Sequence, residues 1–149
     1  MTLRASTTRL PNGAVLAVGP KPPTGASVAQ SGYYMLVLAA IGYQPAASRF
    51  PGVHVLYAPL NDNGAQMTAY ERRVAIHAAR IVARELARGH NVLVTCEQGR
   101  NRSGLVAALA LVFLGYARPR SVATIRRMRM QALTNQDFAR MVEREDLTG

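Results

Sequence analysis

Apolar positions along the 149-residue chain fall into short runs that alternate with longer periodic stretches. Residues 14–18, 33–40, 53–58 and 92–95 are brief apolar runs, most with β-branched residues, as expected of buried strands, a short helix being the alternative over 33–40. Pro11-Asn12-Gly13 marks a turn before the first run, and the prolines of residues 19–25 mark a loop after it. Thr68-Ala69-Tyr70-Glu71 reads as a capping box that opens a helix. Its apolar stripe is Val74, Ala78, Ile81, Val82 and Leu86, and Gly89 ends it. Residues 105–114 are apolar on every side, too long for a typical strand and too short for a membrane span, so they predict a buried helix. Pro119 opens another helix, running from Ser121 to Met130 with Val122, Ile125 and Met128 inward. Thr134 or Asn135 caps a last one, from Gln136 to about Glu145, with Phe138, Met141 and Val142 inward. Strands alternating with helices predict an α/β fold, a central and mainly parallel sheet flanked by helices, as one domain over residues 1–149.

Chemistry concentrates where the strand 92–95 meets the buried helix, at Thr95-Cys96-Glu97-Gln98-Gly99-Arg100-Asn101-Arg102-Ser103-Gly104. A loop that feeds a helix N-terminus aims backbone N–H groups inward, and the helix dipole adds positive potential there. Gly99 admits a backbone conformation closed to residues with a Cβ. Such surroundings hold a thiol as the thiolate, ready to attack phosphorus. The planar fork of Arg102 can bind two phosphate oxygens. Ser103 can cap the helix, hydrogen-bond the sulfur and help it leave, or do both.

From Cys96 to Ser103 the chain resembles the C-x5-R-S/T signature loop of the cysteine-dependent protein-tyrosine and dual-specificity phosphatases. Within that group, Gly99-Arg100-Asn101-Arg102-Ser103-Gly104-Leu105 is similar to the small, single-domain dual-specificity-type members. The resemblance implies Cys96 as nucleophile, Arg102 as phosphate binder and Ser103 as leaving-group aid. It also implies a substrate cradle of main-chain amides from Glu97, Gln98, Gly99, Arg100 and Asn101 to Arg102. Where the family has His before the cysteine, this chain has Thr95.

Displacing an alkoxide or phenoxide from phosphorus also needs a proton donor. Of the eight acids, Glu71 and Glu85 fall on a helix, and Glu97 lies in the loop with its side chain outward. Asp137, Glu143, Glu145 and Asp146 belong to the C-terminal segment, and Asp62 sits just past a strand, in the loop of residues 59–64. Phosphatases of the dual-specificity type place their general acid in such a loop, at a similar distance before the cysteine. Asp62 is therefore the expected general acid, its alternative being a turn-former alone. An acid ahead of the cysteine is the reverse of the order in low-molecular-weight tyrosine phosphatases.

The formal charge of +10, with Lys21 the only lysine, favours anionic partners. A phosphorylated protein or other phosphoester is the expected substrate, and nucleic acid is the less favoured partner. The rival readings are a phosphatase of a non-protein anion (an RNA 5′ end, a phosphoinositide or an inositol phosphate) and a phosphate-binding module without turnover. No metal-ligand spacing is visible and no cofactor is expected. Arg73, Arg80, Arg84 and Arg88 read as a solvated helix face, with polyanion binding the alternative, and Arg126, Arg127 and Arg129 form the densest basic cluster. His54, His77 and His90 read as structural or surface residues. One cysteine excludes an internal disulfide and fits a reducing compartment, so a cytoplasmic location is expected.

Overall fold

The structure is a computed structural model that describes residues 3–148. Five strands form one sheet: β1 (Ser6–Arg9), β2 (Val15–Gly19), β3 (Met35–Ala40), β4 (His54–Leu60) and β5 (Val92–Thr95). Their order is β1-β2-β5-β3-β4, parallel at every pairing except the β1–β2 hairpin. The helices are α1 (Ser27–Gln30), α2 (Ala69–Ala87), α3 (Arg102–Phe113), α4 (Arg118–Met128) and α5 (Gln136–Arg144).

Period-2 alternation divides the strands between two cores. Leu16, Val18, Val37, Ala39, Val92 and Val94 face the large core under the long helices. Ala17, Leu36, Leu38 and Leu93 face a smaller one, closed by Val28 of α1 and by Phe50. The sheet is flanked by helices as the pattern predicts, but unequally, because only the single turn of α1 and a 3-10 turn at Ala47–Arg49 lie near the second face. Helix α3 is the hub of the large core. Every residue from Ser103 to Leu111 is buried, and it packs on α2, α4 and α5 as well as on the sheet. Each such leucine contributes about 1.5–3 kcal/mol by leaving water.

Several boundaries differ from the sequence reading, for identifiable reasons. Strand β1 is Ser-Thr-Thr-Arg, a polar edge strand without an apolar face to betray it. Strand β4 runs on through Pro59 to Leu60, which a strand at the other edge tolerates. Helix α4 begins at Arg118 rather than Ser121, with Pro119 in its first turn. The capping box forms at Thr68 and Glu71. Helix α2 buries a broader surface than its stripe suggests, since it packs against both α3 and β4. Ala75, Ile76, Ala79 and Ala83 go inside, and Val74 and Ile81 sit at the margin.

Glu85 of α2 is buried too, with His90 Nδ1 at 3.1 Å and Arg88 and Arg84 nitrogens at 3.2 and 3.4 Å. His90 in turn stacks on Tyr34, with ring centroids 3.8 Å apart. Burial alone would raise the Glu85 carboxyl. The hydrogen bond with His90 and the charges of Arg88 and Arg84 outweigh it and hold the group below the usual carboxylate value. A carboxyl lowered in the folded state contributes stability above its unfolded value, and that contribution is lost as pH falls through the folded one. Glu85→Gln should therefore lower Tm at pH 7 by about 2–8 °C, corresponding to about 1–2 kcal/mol. The gap from wild type should close on acidification below about pH 4. Thermal melts across pH 3–7 measure this, and a gap independent of pH would remove the carboxylate from the account.

Candidate active site

Strand β5 lies between β2 and β3 although the chain visits it last, so the sheet reverses its order there. Open α/β sheets bind ligands beyond the carboxyl ends of strands at such a switch point. Thr95, the last residue of β5, pairs with Gly19 on one side and Leu38 on the other. Its hydroxyl donates to the Val37 carbonyl at 2.8 Å, which pins the strand end inside the sheet with a group that does not ionise. Cys96 follows, its N–H donating to Gly19 O at 3.2 Å.

The loop after Cys96 turns its carbonyls outward. Glu97 O accepts from Lys21 N, Gln98 O from Arg129 Nη2, Arg100 O from Leu133 N and Asn101 O from Leu105 N. A trans peptide points its N–H opposite to its C=O, and the described residues contain no cis bond. The N–H groups of Gln98, Gly99, Asn101 and Arg102 therefore face the inside of the loop. Gly99 makes this path possible. Its φ is +70°, and a Cβ on it would stand 2.4 Å from Gly19 C and 2.7 Å from Gly19 O and Pro20 N. The Glu97 side chain faces away, 3.3 Å from Lys21 Nζ, and Arg100 is exposed.

Cys96 is one of the residues lining a pocket of about 240 Å³, with Asp62, Arg100, Asn101, Arg102 and Thr134 among the others. Cys96 is 4% exposed and packs at the edge of the large core, and it also borders this cavity. Ser103 is fully buried in the first turn of α3, its Oγ 3.2 Å from Cys96 Sγ. It does not cap the helix: Asn101 is the N-cap, without a side-chain cap bond, and the Ser103 hydroxyl is directed to sulfur. Arg102 Nη1 donates to Leu60 O at 3.2 Å, while its buried Nε has no partner. An unpaired buried guanidinium N–H beside a ring of inward amides is what a tetrahedral oxyanion would satisfy.

Asp62 reaches the same pocket from the loop after β4. Asn101 Nδ2 donates to its Oδ2 at 3.0 Å and Asn135 Nδ2 to its Oδ1 at 2.8 Å. The loop is tied at both ends, by Asn61 N to Glu71 Oε2 (3.1 Å) and Met67 N to Asp137 Oδ2 (2.8 Å). Arg72 holds Asp137 and Glu145 from the far side.

The sequence reading missed the segment between α4 and α5. Residues 129–135 form a collar around the outside of the cysteine loop. Arg129 and Leu133 hold the carbonyls of Gln98 and Arg100, while Thr134 Oγ1 and Asn135 N donate to Asn101 Oδ1 at 3.3 and 2.9 Å. The collar carries two non-glycine residues at positive φ, Gln131 (64°) and Leu133 (57°). A leucine there stores strain that surrounding contacts must hold. Asn135 was legible as a helix cap, which it is, but nothing in the pattern ties its other atoms to Asp62.

Two wider troughs share lining residues with the pocket. One, of about 730 Å³, runs past Arg4, Gly19, Pro20, Lys21, Pro22 and Pro23 and meets the pocket at Glu97. The other, of about 610 Å³, runs past Gln66, Gln136 and Arg140 and meets it at Asp62, Asn101 and Thr134. Among the described residues no group of three or more His, Cys, Asp or Glu could hold a metal ion, and no helix is long and apolar enough to cross a membrane.

No protein-family model and no curated protein matches the sequence. Solved structures do match the fold. Human DUSP28 superposes with a TM-score of 0.73 at 22% identity, covering 92% of this chain and 89% of that one. A kinase associated phosphatase whose catalytic site cysteine is replaced by serine gives 0.72 at 14%, covering 95% and 93%. A mutant form of Tk-PTP gives 0.70 at 20%, covering 92% and 91%. The chain has the fold of the dual-specificity and protein-tyrosine phosphatases.

Proposed function

We propose, from a fold shared with dual-specificity phosphatases, that this chain is a single-domain phosphomonoester phosphatase working through a cysteinyl-phosphate. The observation that carries the reading is the convergence on one pocket of a lone cysteine, inward amides, an unpaired Arg102 Nε and Asp62. In the first step the Cys96 thiolate attacks phosphorus. The S–P bond forms as the P–O bond to the leaving group breaks, and Asp62 gives its proton to the departing oxygen. Arg102 and the loop amides hold the three remaining oxygens throughout. In the second step water attacks phosphorus and Asp62 takes its proton. The S–P bond breaks, and Ser103, 3.2 Å from Sγ, stabilises the returning thiolate.

A phosphorylated protein is the proposed substrate. The troughs that share lining residues with the pocket would give an extended chain room beside it. A panel of phosphotyrosine and phosphoserine/threonine peptides beside 5′-triphosphorylated RNA and phosphoinositides tests this choice. Preferred turnover of a non-protein anion would overturn it, and phosphate binding without release would overturn the enzyme itself.

Asp62→Asn tests the acid. Its carboxamide should cost about 100-fold in kcat on alkyl phosphates, whose alkoxides need the proton. On an aryl phosphate with a good leaving group the loss should stay below about tenfold. Steady-state rates on the two substrate classes decide it, and equal losses would strip Asp62 of the role.

A further inference from the structure

We infer that Arg129, outside the signature loop, is a positioning residue that fixes the Gln98–Gly99 peptide and supplies part of the positive field for the Cys96 thiolate. The inference rests on the reading of Cys96 as nucleophile. Arg129 stands just past α4, on the collar, and is only partly exposed. Its Nη2 donates to Gln98 O at 3.0 Å, and its Nη1 donates to Arg4 O at 3.0 Å and lies 3.4 Å from Ser6 Oγ. The guanidinium therefore joins the polar strand β1 to the back of the loop.

The bond to Gln98 acts through the peptide. A charged donor on a carbonyl polarises the amide, which leaves the N–H on the far side a stronger donor. That N–H belongs to Gly99 and faces the loop interior. Burial lowers the Arg129 guanidinium from its ordinary value, a charged Cys96 opposes that, and Arg100 adds to it. The other charged groups around Cys96 are Arg100 and Arg102 on the loop and α3, Asp62 on the acid loop, and Glu97, which Lys21 already pairs. The residue before the cysteine offers no charge, since Thr95 is bonded into the sheet. No carboxylate of the described residues lies within ion-pair distance of Arg129, so its charge is left to act on the loop.

Two substitutions separate charge from connection. Arg129→Gln keeps a donor for Gln98 O and removes the charge, whereas Arg129→Lys keeps the charge on a shorter reach. Cys96 is the only thiol, so iodoacetamide alkylation of the full chain from pH 5 to 9 reads its ionisation directly. Arg129→Gln should slow alkylation at pH 6 about tenfold, converge with wild type by pH 9, and weaken competition by inorganic phosphate about tenfold. Arg129→Lys should stay within about threefold of wild type at pH 6 even if its Tm falls. A wild-type pH profile in Arg129→Gln would overturn the inference, as would equal slowing in both variants. Failure of the parent reading looks different: wild type itself would show no aryl phosphate turnover and no enhanced alkylation at pH 6.

Discussion

Cys96→Ser is expected to abolish hydrolysis of an aryl phosphate, a fall of about 10⁴-fold or more, while the protein still folds and still binds inorganic phosphate. The two halves of this expectation have separate causes. A serine hydroxyl is not ionised at neutral pH and needs a base to attack phosphorus. The nearest hydroxyl, Ser103, cannot act as that base, and Asp62 is held across the pocket by Asn101 and Asn135. Binding depends on other atoms. On the proposed reading the oxygens of phosphate would be met by main-chain amides and Arg102, none of which the substitution removes. Turnover assays paired with phosphate titration check both halves. Residual turnover near the wild-type level would show that the sulfur is not the nucleophile.

Gly99→Ala should act on the opposite half, leaving the sulfur in place and spoiling the cradle. Alanine at φ +70° costs about 1 kcal/mol. The larger cost is steric, because the new methyl would lie 2.4 Å from the Gly19 carbonyl carbon, and backbone cannot step aside as a side chain can. The Gln98–Gly99 peptide must shift, which takes an inward amide away from the position where charge develops. We expect kcat/KM to fall about 10³-fold and stability by about 2–4 kcal/mol. Gly13→Ala is the control. Gly13 has φ +91° with nothing within 4 Å, so its alanine variant should show the backbone cost of about 1 kcal/mol and full activity. If the two variants behave alike, close approach to Gly19 does not shape the loop.

The parts of this protein that were legible in its sequence are those written in local pattern. Period-2 and period-3.6 runs located four strands and the long helices, and the capping box located the start of α2 to the residue. The junction of β5 and α3 was legible because strand, glycine and buried helix constrain one another. Strand β1 was not, since Ser6–Arg9 has no apolar face and exists only because β2 offers it an edge. Glu85 read as one more helix acid because its burial depends on His90, which comes after the helix has ended. The collar was invisible for the same reason. Its bonds to Gln98, Arg100 and Asn101 join residues about thirty positions apart, and no period in the sequence encodes such a distance.

The placing of the pocket beside two troughs has a consequence for traffic. A cavity closed on all sides admits only the end of a molecule, and its product must back out the way it came. Here the pocket that Cys96 lines shares Glu97 with one trough and Asp62, Asn101 and Thr134 with the other. A polypeptide substrate of the kind proposed would have room in those troughs for the neighbours of its modified residue. Once its phosphoryl group had passed to sulfur, such a chain would be free to leave along the troughs before water released the phosphate.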